Sequence, residues 1–107
     1  MKEQEIAKQL KTGKITVEES ANLRIILAGI YAGYTFQLEE VLVNKSEVWE
    51  EIRKTTTSDK HADIKWEVTK EGKNEIRLTL RIRAVEKMLS CLRSIIDVET
   101  GKYERKN

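Results

Sequence analysis

Two tyrosines and a run of basic residues are the side chains in this sequence best suited to chemistry on a ligand. Tyr31 and Tyr34 stand three apart, and Arg77, Arg81, Arg83 and Lys87 follow in the C-terminal half, with Arg93 beyond them. A guanidinium presents a planar fork of N–H donors that fits a phosphate or carboxylate, and an aromatic face accepts a stacked base. Tyr31, Tyr34, Arg77, Arg81, Arg83 and Lys87 are therefore the expected ligand-binding residues, and the ligand they suit is an anion, either a nucleotide or a strand of nucleic acid. The competing reading is a solvated helix face on which arginine stems cover apolar neighbours.

Other reactive side chains lack the company that chemistry needs. His61 has no second histidine or cysteine at ligand spacing, so no metal site is expected. Cys91 is the one cysteine and falls on an apolar stripe, where a core role is expected rather than a nucleophilic one. Ser20, Ser46, Ser58, Ser90 and Ser94 have no G-x-S-x-G context. Neither a phosphate loop nor G-x-G-x-x-G occurs. The carboxylates fall on polar faces with no sign of a paired buried dyad. The expectation is a binding protein, not an enzyme, with no cofactor.

The elements that would position these residues are helices. Residues 2–12 form a short polar helix candidate with Ile6 and Leu10 one turn apart, and Gly13 is a natural stop. Thr16-Val17-Glu18-Glu19 has the form of a capping box. From there Leu23, Leu27, Ile30, Tyr34, Leu38, Val41, Val48 and Ile52 keep helical spacing to about Thr55, a rod of about 58 Å. Thr55-Thr56-Thr57-Ser58 breaks it, and Ser58 or Asp59 would cap the next helix.

Residues 59–99 admit two readings. Leu78, Ile82, Val85, Leu89, Leu92 and Ile96 form a heptad seam, as in a second long helix. Yet Ile76 to Arg83 alternates, as do Ile64, Trp66 and Val68, and Lys70-Glu71-Gly72-Lys73-Asn74 between them could turn a β-hairpin over 63–83. The Lys, Glu, Arg and Leu content favours helix. The expected fold is all-α: a short N-terminal helix, then a long antiparallel helical hairpin folded near Thr57, in one domain over 1–107 with a frayed tail at 102–107. The α+β alternative keeps the hairpin at 63–83. Trp49 and Trp66 flank the fold point from either side and are expected to plug the core there.

Both long helices carry more apolar surface than a two-helix hairpin can bury. Opposite the first stripe of the first long helix lie Ile25, Gly29, Ala32, Phe36 and Val43. Opposite the heptad seam lie Ile76, Leu80, Ala84, Met88, Cys91 and Ile95. Burying a Leu or Ile stabilises by roughly 1.5–3 kcal/mol, so uncovered stripes of this length predict a homo-oligomeric bundle. Ala28/Ala32 and Gly29/Gly33 are small pairs one turn apart. A helical glycine costs about 1 kcal/mol against alanine, and close helix packing or a hollow beside Tyr31 and Tyr34 would compensate.

Composition agrees. Of 107 residues 36% are charged and 39% hydrophobic, and none is proline, so nothing interrupts a long helix. Charge is segregated. Glu39, Glu40, Glu47, Glu50 and Glu51 cluster around a single base, Lys45, whereas Arg77, Arg81, Arg83, Lys87 and Arg93 surround one acid, Glu86. A net charge of +2 does not by itself announce nucleic acid. With one cysteine, no apolar segment at residues 1–5 and no span long enough for a bilayer, a cytoplasmic protein without membrane contact is expected.

Ser58-Asp59-Lys60, Ala62-Asp63, Trp66-Glu67, Thr69, Gly72, Glu75-Ile76 and Ala84 to Ser90 together resemble small helical accessory proteins of phages and prophages, over roughly residues 20–99. The resemblance implies an all-helical protein acting near nucleic acid in a bacterial cytoplasm, and it supplies no functional residues to carry over. Phages also use small helical oligomers to sequester nucleotide signals of host defence, a role the Tyr and Arg pairing would suit. Against this stands a protein–protein adaptor or coiled-coil scaffold, motivated by the doubled stripes alone.

Overall fold

The computed structural model describes residues 3–99. They form four helices, α1 (Glu3–Thr12), α2 (Val17–Lys54), α3 (Asp59–Glu67) and α4 (Lys70–Glu99). No strand occurs among the described residues, so 63–83 holds no β-hairpin and the fold is all-α. The tail expected to fray, 102–107, lies outside the described residues.

The helix ends follow the local chemistry of the sequence. Gly13 has φ +69°, the left-handed region that glycine enters without a Cβ penalty, and it stops α1. The Thr16 hydroxyl accepts from the Glu19 amide at 3.1 Å and so caps α2. Thr55 and Thr56 turn their hydroxyls back onto the Ile52 and Arg53 carbonyls and close α2. The Ser58 hydroxyl accepts from the His61 amide at 3.2 Å and opens α3.

The second long helix differs from expectation. It is two helices, broken at Val68–Thr69. Thr69 explains the break. Its hydroxyl donates to the Trp66 carbonyl at 2.6 Å and accepts from the Gly72 amide at 3.0 Å, so one side chain closes α3 and caps α4. The two helix ends then approach so closely that a Cβ on Gly72 would overlap the Trp66 carbonyl. Gly72 serves this corner, not the turn of a hairpin.

The described chain divides into two compact units, one built from residues up to Ala32 and from Arg83 onward, the other from Gly33–Ile82. In the first unit the core is Ile6, Ile15, Leu23, Leu27, Val85 and Leu92, with Leu89 and Ile96 half-buried. Ser20 is buried with them, and its hydroxyl has no hydrogen-bond partner among the described residues. In the second unit Ala62, Trp66, Leu78 and Ile82 are buried, while Tyr34, Leu38, Val41 and Ile52 are half-buried. The heptad seam is thus the buried face of α4, and the stripe from Leu23 to Val41 is the covered face of α2.

Two expectations about the core change. Cys91 is exposed, not buried. Buried Leu92 holds the inward position beside it, which turns Cys91 away from the core. Of the two tryptophans only Trp66 is fully buried. Trp49 is half-buried, its indole N–H donating to Asp63 at 2.8 Å. The polar edge of its ring needs a partner and finds it at the surface.

The corner and an open helix face respond oppositely to added volume. Gly72→Ala forces the α3–α4 junction apart and is expected to destabilise by about 1–3 kcal/mol. Gly33→Ala meets nothing within 4 Å and is expected to stabilise by about 0.5–1 kcal/mol through helix propensity. Urea unfolding midpoints of the two variants check both signs.

Candidate ligand-binding face

Among the six expected ligand-binding residues, Tyr34 and Arg81 are in direct contact. In the second unit Tyr34, half-buried on α2, accepts a hydrogen bond from the Arg81 guanidinium at 2.9 Å, and the same guanidinium lies 5.7 Å from the Tyr34 ring centroid. The ring quadrupole and the phenol oxygen hold the cation together. A hairpin folded at Thr57 sets residue 34 beside 80, so this pair falls one residue from the expected register. Further along α2, Lys45 pairs with Glu75, Trp49 with Asp63 and Arg53 with Asp59, the partners falling in number as α2 rises.

Arg77 belongs elsewhere on α4. It donates to the Asn74 side-chain oxygen. Together with Lys70, Glu71 and Lys73 these two residues ring a shallow depression at the start of α4. Three cations and one acid meet there, and the Gly72 amide at the start of the helix is already held by the Thr69 hydroxyl. In the first unit Tyr31 is half-buried and Arg83 and Lys87 are exposed. None of these three side chains forms a hydrogen bond or ion pair among the described residues. The basic band is therefore spread along α4, with Arg81 already engaged by Tyr34.

A polar group that joins three helices in the second unit was not among the expected site residues. The buried Trp66 indole N–H donates to a Glu75 carboxylate oxygen at 2.9 Å, and the Lys45 ammonium meets the same oxygen at 3.0 Å. Lys45 also lies 5.5 Å from the Trp66 ring centroid. The Lys45 and Glu75 side chains are 31% and 23% exposed, so this pair is less screened than Arg53–Asp59, whose carboxylate is 78% exposed at 2.7 Å. An exposed pair contributes up to about 1 kcal/mol. The Glu75 oxygen counts for more because a buried indole N–H depends on it. The signal for this group in the sequence is Lys45, the one base among five acids from 37 to 51.

The His61 ring nitrogen Nδ1 meets the Thr57 hydroxyl at 3.0 Å across the start of α3, a local contact at a helix cap. Among the described residues no three His, Cys, Asp or Glu side chains are grouped to hold a metal ion. No described helix is long and apolar enough to cross a membrane.

What the surface does offer is apolar area. Ile25, Gly29 and Ala32 in the first unit and Phe36 and Val43 in the second are all exposed, Ile25 at 73%, Phe36 at 66% and Val43 at 67%. On α4, Ile76 and Leu80 are exposed in the same way. A Cβ on Gly29 or Gly33 would meet nothing within 4 Å, so packing inside the subunit does not account for either helical glycine.

Compared with known proteins, the chain matches no family model, no curated protein and no solved structure.

The role of Glu75 is open to direct measurement. Glu75→Ala leaves the Trp66 N–H buried without an acceptor and is expected to cost about 1–3 kcal/mol in unfolding free energy. Glu75→Gln keeps an oxygen for the indole and is expected to cost less. Lys45→Met removes only the ion pair and its ring contact, and is expected to cost about 1 kcal/mol or less.

Proposed function

We propose that the protein is a non-enzymatic helical assembly protein, an antiparallel helical hairpin that self-associates and acts through the surfaces it then presents. The observation that carries this reading is the second stripe of α2: Ile25, Gly29, Ala32, Phe36 and Val43 recur on one helix face, and all five are exposed. Large exposed apolar residues aligned on one face mark an interaction surface. Lone exposed leucines or valines would not carry that weight. The reading fits a scaffold or adaptor, and it suits a protein of the kind that its sequence pattern resembles, the small helical accessory proteins of phages and prophages.

A second reading, an anionic ligand held by the assembled protein, is favoured by one observation. The Tyr34 ring holds the Arg81 guanidinium at an exposed position on α4, the helix that also carries Arg77, Arg83 and Lys87. A nucleotide would be met by the cations of that band. A strand of nucleic acid would run along the band through its phosphates.

Light scattering on the purified chain is expected to give a dimer or larger at micromolar concentration. Phe36→Glu is expected to return it to a monomer with unchanged helical circular dichroism. A wild-type monomer at several hundred micromolar would remove the assembly reading. For the second reading, thermal melting is expected to rise and saturate with one nucleotide, or oligonucleotide affinity to fall steeply with salt. Arg81→Glu is expected to abolish either effect. A flat response to both panels would eliminate the anionic ligand.

A further inference from the structure

The exposed stripe of α2 contains two quartets with the same spacing. The first unit has a shallow groove formed by Ala21, Arg24, Ile25 and Ala28 of α2 against Leu89 and Arg93 of α4. The second unit has a patch in which Phe36, Glu39, Glu40 and Val43 of α2 stand exposed around a shallow depression. Each quartet steps by three, one and three residues. Both lie on one continuous helix, Val17–Lys54.

Read in opposite directions, the quartets complement each other. Val43 meets Ala21, Glu40 meets Arg24, Glu39 meets Ile25 and Phe36 meets Ala28. A large side chain falls on a small one at each end, and an acid falls on a base between them. Arg93, on the α4 side of the groove, adds a second cation near Glu39 and Glu40. Among the described residues no acid lines the groove and no base lines the patch.

We infer that the occupant of this face is a second copy of the chain, with its α2 packed antiparallel on the first. The inference rests on the self-association proposed above and gives it a register. A two-fold axis at Ala32 sets the acidic patch of each copy against the basic groove of the other, so the same contacts form twice, as an isologous interface requires. Ala32 then faces its own equivalent, with Gly29 one turn away. Side chains this small let the two helices approach to about 8 Å, the short end of helix packing distances. This close approach also gives a role to Gly29, which has none inside the subunit.

Disulfide trapping and charge exchange test the register separately from the assembly. With the exposed native thiol removed by Cys91→Ser, Ala32→Cys is expected to form a disulfide-linked dimer rapidly in air. Ala28→Cys and Phe36→Cys chains are expected to crosslink when mixed and not alone. Arg24→Glu and Glu40→Arg are each expected to weaken the dimer by on the order of tenfold, because the repulsion is doubled by symmetry. The double variant Arg24→Glu, Glu40→Arg is expected to recover affinity. A wild-type chain that stays monomeric overturns the assembly and this register together. A wild-type dimer that fails to trap through Ala32→Cys, or that the double exchange fails to restore, overturns the register and leaves self-association standing.

Discussion

One constraint organises the molecule: a long proline-free helix must place apolar side chains somewhere, and its own chain can cover only one side of it. α2 runs 38 residues without interruption. Its face from Leu23 to Val41 is buried or half-buried within the two units, and backbone hydrogen bonding is satisfied along the rod whatever lies outside. Among the described residues the opposite face receives no cover. At roughly 25 cal/mol per Å² of apolar area, side chains the size of Ile25, Phe36 and Val43 leave several kcal/mol of unrealised burial. That is comparable to the whole stability of a small domain. It outweighs any surface ion pair in this chain.

Polar interactions do the work of definition instead of bulk stabilisation. Thr16, Ser58 and Thr69 fix where three helices start, each through a hydroxyl accepting from an amide one turn on. Glu75 joins α2, α3 and α4 by serving Lys45 and Trp66 through a single oxygen. Moving any one of these helices by a turn would leave a donor unmatched. The tyrosine–arginine pair acts similarly further along α2, tying an exposed cation to a half-buried ring.

Much of this was legible in the sequence, for identifiable reasons. The 4-3 seam from Leu78 to Ile96 marked the inward face of α4, because burial follows the helical period wherever a helix lies on a core. The caps at Thr16 and Ser58 and the stop at Gly13 were legible because each is a local contact among neighbouring residues. The break at Val68–Thr69 was hidden because the same signals, Gly72 amid polar residues, also suit a hairpin turn. Only the close approach of two helix ends separates the readings, and that is a tertiary fact. Cys91 was misplaced because Leu92 and Cys91 sit on adjacent stripes of a helix that is apolar on more than one side. The ligand residues were named by type. Type does not reveal that Tyr34 would occupy Arg81, or that Arg77 would turn to Asn74. Lys45 carried a sign of its role, as a base among acids, but its partner Glu75 is 30 residues away and announces nothing.

The short helix between the two long ones has its own consequence. α3 has nine residues, fewer than a helix needs to persist in water unaided. Its hold comes from buried Ala62 and Trp66 and from the hydroxyls at its two ends. Such a segment has no gradual way to loosen. Once the indole leaves its site, the remaining turns have nothing to sustain them, so its amides should exchange with solvent as a block, ahead of those in the long helices it separates. α3 is thereby more readily opened than the long helices on either side of it, and a place where a protease would find extended chain.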